Sequence, residues 1–325
     1  MKRISKCAYW LFVVSALLFA VAVMAQQPAK HKHINRVIDY LEAGQTVYYT
    51  GSHSGTTGTF EQGKKDAQTW ADYISYDMEH APFDVKGLQE YMRGLVAGGP
   101  TRDGYRTPAV IVNVPVNGLD GPTVRANAWM FQQVLATGVH GILLTHADNP
   151  DAIREFIEAV RFPNREQGVG HDGLKEGHRG VHGDPTAAQI WGVSVQEYEK
   201  KADAWPLNPN GELMLGVKEE DKIALANVDE NVKVPGLSFA EWGPGDMAMS
   251  LGVTVPPGQN VVNDPRMQAA RSKVFAATRE SHLYFLNTCM PNDVISMIKE
   301  GVKICSGSEK AAEMGREYQH RQTPQ

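Results

Sequence analysis

Short apolar runs alternate with longer amphipathic stretches along most of this 325-residue chain, and no other feature restricts its fold as strongly. Candidate strands lie at 46–50, 73–77, 109–114, 141–145, 213–218, 237–241, 283–288 and 302–306. Helix-like segments follow them at 60–71, 84–98, 122–137, 149–161, 220–230, 265–280, 291–300 and 308–319. Asn149-Pro150 and Asp264-Pro265 each set a capping side chain before a proline at the first helical position, and Pro291 and Ser308 open the last two helices in the same way. Eight strand–helix alternations predict an α/β fold of the TIM (β/α)8 barrel type. An open doubly wound sheet is the rival, but no Gly-rich phosphate fingerprint follows the first strand. Segment 163–212 exceeds the needs of a minimal barrel and reads as a long inserted loop after the fourth strand, serving as a lid or a subunit contact.

The ends set the compartment. Lys2, Arg3 and Lys6 precede an apolar stretch at 8–23, and Val23-Met24-Ala25 before Gln26 is a small-x-small cleavage site. Residues 1–25 therefore read as a secretory signal peptide, too short in its apolar core to span a bilayer. The mature chain is expected outside the cytosol, periplasmic or secreted. Removing the peptide takes the formal net charge from −5 to −8, which argues against nucleic acid and anionic membranes as partners. About 300 residues remain, enough for one large core. The layout expected is a leader at 26–44, a barrel at 45–319 and a flexible tail at 320–325. Two cysteines, Cys289 and Cys305, end neighbouring candidate strands; a disulfide and two buried thiols both suit them.

Chemistry in this fold gathers at the C-terminal ends of the strands. Asp77, Glu79 and His80 follow the second strand, Asn113 lies on the third, and Thr145 and His146 end the fourth. Lys218 and Glu220 close the fifth and Asp246 follows the sixth. Glu220 and Asp246 lie 26 positions apart, about one strand–helix–strand unit, so neighbouring strands bring both carboxylates to one rim. Two oxygen ligands with open positions describe a catalytic divalent-metal site; the bland alternative is a surface Glu in an acidic run and a turn Asp. His171, His178 and His182 stand in a Gly-rich stretch that offers a second, less specific metal candidate.

Several of these motifs resemble the HpcH/HpaI aldolase and citrate-lyase beta family over roughly 45–319. Asp77-Met78-Glu79-His80-Ala81-Pro82 is similar to its Asp-x-Glu-His-x-Pro stretch. The runs from Gly138 to Leu144 and from Ala159 to Pro163 resemble its fourth-strand unit, and Arg179-Gly180-Val181 its Arg-Gly loop. Glu220 with Ala224, Asn227 and Val228 resembles its metal-ligand Glu and following helix. Gly243-Pro244-Gly245-Asp246-Met247 resembles its Gly-Pro-x-Asp-Leu signature. The resemblance implies Glu220 and Asp246 as ligands of Mg²⁺ or Mn²⁺, His80 as acid or base, and Asp77 and Glu79 as groups that orient it. It also implies backbone N–H groups near Gly245 gripping a substrate carboxylate, and a homo-oligomer, commonly a hexamer.

The pattern departs from the family at three places. Asn113-Val114-Pro115 replaces an Arg-x-Pro step, Ala136 stands where an Asp pairs with the His, and Thr145-His146 replaces a Val-Pro-like step. Lys218 shares a strand face with Glu220 and is the candidate to restore the missing positive charge. His146 is the candidate to replace or support His80. The resulting expectation is a divalent-metal-dependent carbon–carbon lyase acting on a 2-oxo acid or related carboxylate. The alternatives are an exported pseudoenzyme or binding protein that keeps the metal pocket, and a hydratase or acyl-thioester lyase on the same scaffold.

Overall fold

The computed structural model describes residues 31–51, 58–181 and 183–321; the expected signal peptide and His182 lie outside them. Nine strands run in chain order: β1 (Val47–Gly51), β2 (Tyr73–Asp77), β3 (Ala109–Asn117), β4 (Gly141–Thr145), β5 (Ala204–Trp205), β6 (Leu213–Lys218), β7 (Phe239–Glu241), β8 (Tyr284–Cys289) and β9 (Ile304–Gly307). All pairings are parallel, and β4 pairs with β6 to close an eight-stranded barrel wrapped by helices. The two-residue β5 adds to β6 alone, below the point where β7 joins it. The eight strands expected from the sequence are the eight of the barrel.

Period-two alternation sorts each strand into an inner and an outer face. Val47, Tyr73, Ile111, Leu143, Met214, Phe239, Leu286 and Ile304 pack together in the barrel interior. A Cβ on Gly216 would lie 2.3 Å from the Phe239 ring, so this glycine makes room for that ring. The outer faces pack on the helices. Continuing the inner rows to the C-terminal end puts Asp77, Asn113, Thr145, Lys218, Glu241, Thr288 and Ser306 in the top layer.

Four expectations need correction. Helix Arg36–Glu42 lies within the expected leader, yet Val37, Ile38 and Leu41 join the interior cluster and plug the N-terminal end of the barrel. Glu212 fixes its start by accepting from the Ile34 and Asn35 N–H groups, both at 2.9 Å. The tail is tied as far as Arg321, whose guanidinium lies 4.3 Å over the Tyr40 ring and pairs with Asp72 at 2.7 Å. Segment 163–212 is not one loop: helices Asp184–Trp191 and Val195–Lys201 pack into the outer core. Trp191 donates to the Gly138 carbonyl at 2.9 Å, next to the start of β4, so this pair sits away from the C-terminal rim of the barrel and does not cover it. Last, Pro291 does not open its helix, which runs Val294–Glu300 after Asp293. The other three capping signals hold: Asn149, Asp264 and Ser308 accept from Ala152, Arg266 and Ala311 N–H groups.

Cys289 and Cys305 form a disulfide with a Cα–Cα separation of 5.4 Å. Thiol titration of the unreduced, denatured mature protein is expected to find no free thiol; two would contradict the bridge. His140 is buried, takes the Val110 N–H on Nδ1 at 3.2 Å and stacks on Trp191. Burial pushes its pKa down to about 4. The unfolded chain then binds a proton that the folded one refuses, so stability is complete above about pH 6.5 and falls as pH drops toward 4, on the order of 3 kcal/mol in all. His140→Asn keeps the acceptor and is expected to flatten that slope in denaturant titrations; an unchanged slope would assign it elsewhere.

Candidate metal centre

The acidic run after β6 separates into three environments. Asp221 caps helix Lys222–Asn231, accepting from Ile223 at 2.7 Å and Ala224 at 2.9 Å. Glu219 points out of the barrel, is fully buried and accepts from Asn231 Nδ2 at 3.1 Å; burial raises its pKa well above the usual range. Glu220 turns toward the mouth, also fully buried. A solvated surface acid is therefore excluded for Glu220.

One Glu220 oxygen, Oε1, accepts the His146 backbone N–H at 3.0 Å. The other, Oε2, is buried and accepts no hydrogen bond; Lys218 Nζ stands 3.4 Å away. A Cβ on Gly243 would lie 2.2 Å from Oε2, so the glycine is a cradle for this carboxylate. Burial raises the Glu220 pKa; Lys218 opposes the shift and Glu79 adds to it. Gly243 also precedes helix Pro244–Ser250, whose first turn carries Asp246. Ligand atoms of Glu79, His146, Glu220 and Asp246 all lie within 4.8 Å of one another. The two acids singled out from the sequence thus meet. Glu79, expected to orient His80, joins their cluster, and so does His146, whose backbone stands in the left-handed region at φ 44°.

Asp77 organises the neighbouring group. Its Oδ1 accepts from the Glu79 and His80 N–H groups at 2.8 and 3.1 Å, and its Oδ2 lies 2.8 Å from His80 Nδ1. Partial burial disfavours the charged ring, but the Asp77 hydrogen bond and the charges of Glu79 and Asp77 outweigh it and raise the His80 pKa. The carboxylate partner missing at position 136 is supplied from position 77. Ala136 itself packs against Gly183, where an added Cβ would stand 2.1 Å from its own.

Lys218 is buried and donates to Glu79 Oε2 at 2.6 Å, beside Glu220 and across the ladder from Glu241. Burial opposes its ammonium, yet the charges of Glu241, Glu220 and Glu79 raise its pKa. It is a counter-charge for the acids. Glu241, which the sequence reading passed over, is pushed up to about 7 by burial, with Lys218 opposing. Its signal was the inward parity it shares with Phe239. Asn113 is buried and accepts from Ser75 Oγ at 3.4 Å, while Thr145 Oγ1 contacts the Val114 and Val116 carbonyls. Gly245 lies exposed in the first turn of its helix, where N–H groups have no intrahelical partner.

This donor set fits a divalent cation. Hard carboxylate oxygens and one imidazole converge, one buried oxygen has no hydrogen bond, and a glycine keeps the space beside it clear. Elsewhere, His178 approaches Glu155 and Glu158, but His171 does not join that group among the described residues. Arg179 is buried, lies 4.5 Å over the Phe162 ring and donates to Tyr198 at 2.7 Å, a packing role.

Comparison with known proteins places these residues in context. The profile of the HpcH/HpaI aldolase/citrate lyase family matches residues 64–315. The hydroxypyruvate/pyruvate aldolase of Deinococcus radiodurans is 29% identical over 181 residues, 56% of this chain and 52% of that protein. The 2-keto-3-deoxy-L-rhamnonate aldolase of Salmonella paratyphi B is 27% identical over 181 residues, 56% of this chain and 54% of that protein. The chain thus spans about half the length of the curated relatives it matches. A solved HpcH/HpaI aldolase/citrate lyase family structure from Burkholderia cenocepacia J2315 superposes with a TM-score of 0.64 at 21% identity, covering 88% of this chain and 97% of that one. At that identity it shows the barrel fold.

Glu220→Ala and Asp246→Ala are each expected to weaken Mn²⁺ binding at least about 100-fold in calorimetry, while Glu155→Ala leaves it unchanged. Retained affinity in both rim variants would place the ion elsewhere.

Proposed function

The chain belongs to the HpcH/HpaI aldolase/citrate lyase family, and from that premise we propose that it is a divalent-metal-dependent carbon–carbon lyase cleaving a 4-hydroxy-2-oxo acid. The buried Glu220 oxygen without a hydrogen bond, facing Asp246 across an acid-rich mouth, is the observation that carries this reading. The aldolase-named relatives support the reaction class. The Cys289–Cys305 bridge supports an oxidising, extracytosolic location.

A Mg²⁺ or Mn²⁺ held by Glu220 and Asp246, with Glu79 and His146 beside them, would supply Lewis-acid polarisation of the substrate's carbonyl. The protein's own part begins with His80. Held by Asp77 in one orientation, it takes the proton of the C4 hydroxyl. The bond between C3 and C4 breaks, C4 leaves as an aldehyde, and the electron pair stays on C3. Proton return to C3 completes a 2-oxo acid product, so atoms and electrons balance without an oxidant or reductant. Lys218 stands between Glu79 and Glu220, 2.6 Å from one and 3.4 Å from the other, as the counter-charge that offsets their mutual repulsion.

Asn113 favours a second reading. It brings no charge to the position where the resemblance implies an Arg, as suits a protein that binds its ligand without turning it over. Turnover decides between them. Mn²⁺-loaded protein is expected to release pyruvate from a 4-hydroxy-2-oxo acid, and Glu220→Ala to abolish release. Tight ligand binding with no release across a substrate panel would favour the binding protein. Asp77→Asn is expected to lower kcat about 10- to 100-fold. It should also move the acidic limb of the pH–rate profile to lower pH, because the neutral base survives to lower pH once the Asp77 charge is gone. An unmoved limb would assign the base to another group.

A further inference from the structure

At the end of the barrel opposite the acids, where helix Arg36–Glu42 plugs the floor, a histidine stands among carboxylates. His33 lies two positions before Asn35, the capping residue of that helix. Its side chain is 2% exposed, and neither ring nitrogen makes a hydrogen bond among the described residues. A polar ring buried in this state is costly unless something else binds it. Asp39 and Glu42, three positions apart on the helix, share the face that meets the ring. Ligand atoms of His33, Asp39 and Glu42 all lie within 4.8 Å of one another.

The distances separate a hydrogen-bonded ion pair from a coordination site. Nε2 lies 3.5 Å from Glu42 Oε1, and Nδ1 lies 3.4 Å from Glu212 Oε1. An imidazolium bonded to both carboxylates would draw them to about 2.8 Å. Two ligands of a tetrahedral ion with bonds of about 2.1 Å stand about 3.4 Å apart. His33 Nε2 and Glu42 already keep that spacing. Glu212 has a different part. It is fully buried, its Oε1 accepts from Lys201 Nζ at 3.1 Å, and its Oε2 accepts the Ile34 and Asn35 N–H groups. Against burial, the His33 ring and those N–H groups hold its carboxyl below the usual range. A metal-bound histidine turns its other ring N–H toward such a carboxylate, so Glu212 sets Nδ1 as the protonated nitrogen and leaves Nε2 for an ion. Asp39 is oriented in the same manner: its Oδ2 accepts the His33 backbone N–H at 3.3 Å and the Tyr105 hydroxyl at 2.6 Å. The Glu42 side chain is 31% exposed, which gives an ion its entry and a water its place as fourth ligand.

We propose that His33, Asp39 and Glu42 form a second metal site, at the N-terminal end of the barrel, for a first-row transition cation of the Zn²⁺ type. One imidazole and two carboxylates with an open position suit Zn²⁺, and Mn²⁺ binds such a set more weakly. The ion ties the chain entering the plugging helix to the helix itself. Its effect is on the floor of the barrel, away from the rim.

The test uses the mature protein, without a histidine tag, carrying Glu220→Ala and Asp246→Ala so that the rim takes no ion. Calorimetry is expected to find one Zn²⁺ bound per chain, and Co²⁺ in its place to give the visible absorption of a tetrahedral ion. Adding Glu42→Gln, at a partly exposed position, is expected to weaken Zn²⁺ binding at least about 100-fold and to remove the Co²⁺ band, while Glu155→Ala changes neither. In the protein with its rim intact, Zn²⁺ is expected to slow amide hydrogen exchange across residues 36–42 at least about tenfold, an effect lost with Glu42→Gln. Ion-free Glu42→Gln protein is expected to exchange like the parent in the barrel strands, so loss of fold does not mimic loss of a ligand. No Zn²⁺ uptake, uptake that Glu42→Gln leaves intact, or uptake that Glu155→Ala removes overturns the site. Each of those results leaves the lyase reading, which rests on the rim, untouched.

Discussion

Like charges crowded into a low-dielectric mouth are the constraint on which this molecule turns. Asp77, Glu79, Glu220, Glu241 and Asp246 converge where the barrel's inner rows end, and Lys218 is the buried cation among them. Carboxylates so placed repel one another and lose their hydration, which is why burial pushes Glu220 and Glu241 upward. Three responses are open to such a site: protonation, pairing with a fixed cation, or capture of a mobile one. Lys218 supplies the second for Glu79. The Glu220 oxygen that lacks a hydrogen bond marks where the third belongs.

The barrel makes this crowding possible. Parallel strands carry every inner row to the same end, so acids far apart in sequence meet without any loop having to bring them together. Small residues supply the remaining precision. Gly243 leaves room for the Glu220 carboxylate, and Gly216 leaves room for the Phe239 ring below it. The N-terminal helix closes the opposite end with Val37, Ile38 and Leu41, and the disulfide ties β8 to β9 beneath the outer helices. Stability thus concentrates in the floor and walls, while the open face carries the strained charge.

Period and punctuation made the barrel legible: eight apolar runs, each near five residues, with capping side chains at 149, 264 and 308. The meeting of Glu220 and Asp246 was legible too, because their spacing is one repeat of the fold. Parity was not. Glu219, Glu220 and Asp221 read as one acidic run, yet their side chains point outward to Asn231, inward to the mouth, and down onto a helix. Burial of charge depends on tertiary packing that no local pattern carries. Helix Arg36–Glu42 was hidden by its polar flanks, and helices Asp184–Trp191 and Val195–Lys201 by the glycines before them. The pairing of His80 with Asp77, implied by the resemblance, is made locally, because the turn after β2 folds Asp77 back onto the ring.

The central claim is that the mouth holds a cation between residues 220 and 246. Anomalous X-ray diffraction from a crystal of the mature protein grown with Mn²⁺ tests it most directly. The expected result is one strong peak bonded to carboxylate oxygens of both Glu220 and Asp246. A peak confined to other residues, or none at saturating Mn²⁺, would contradict it.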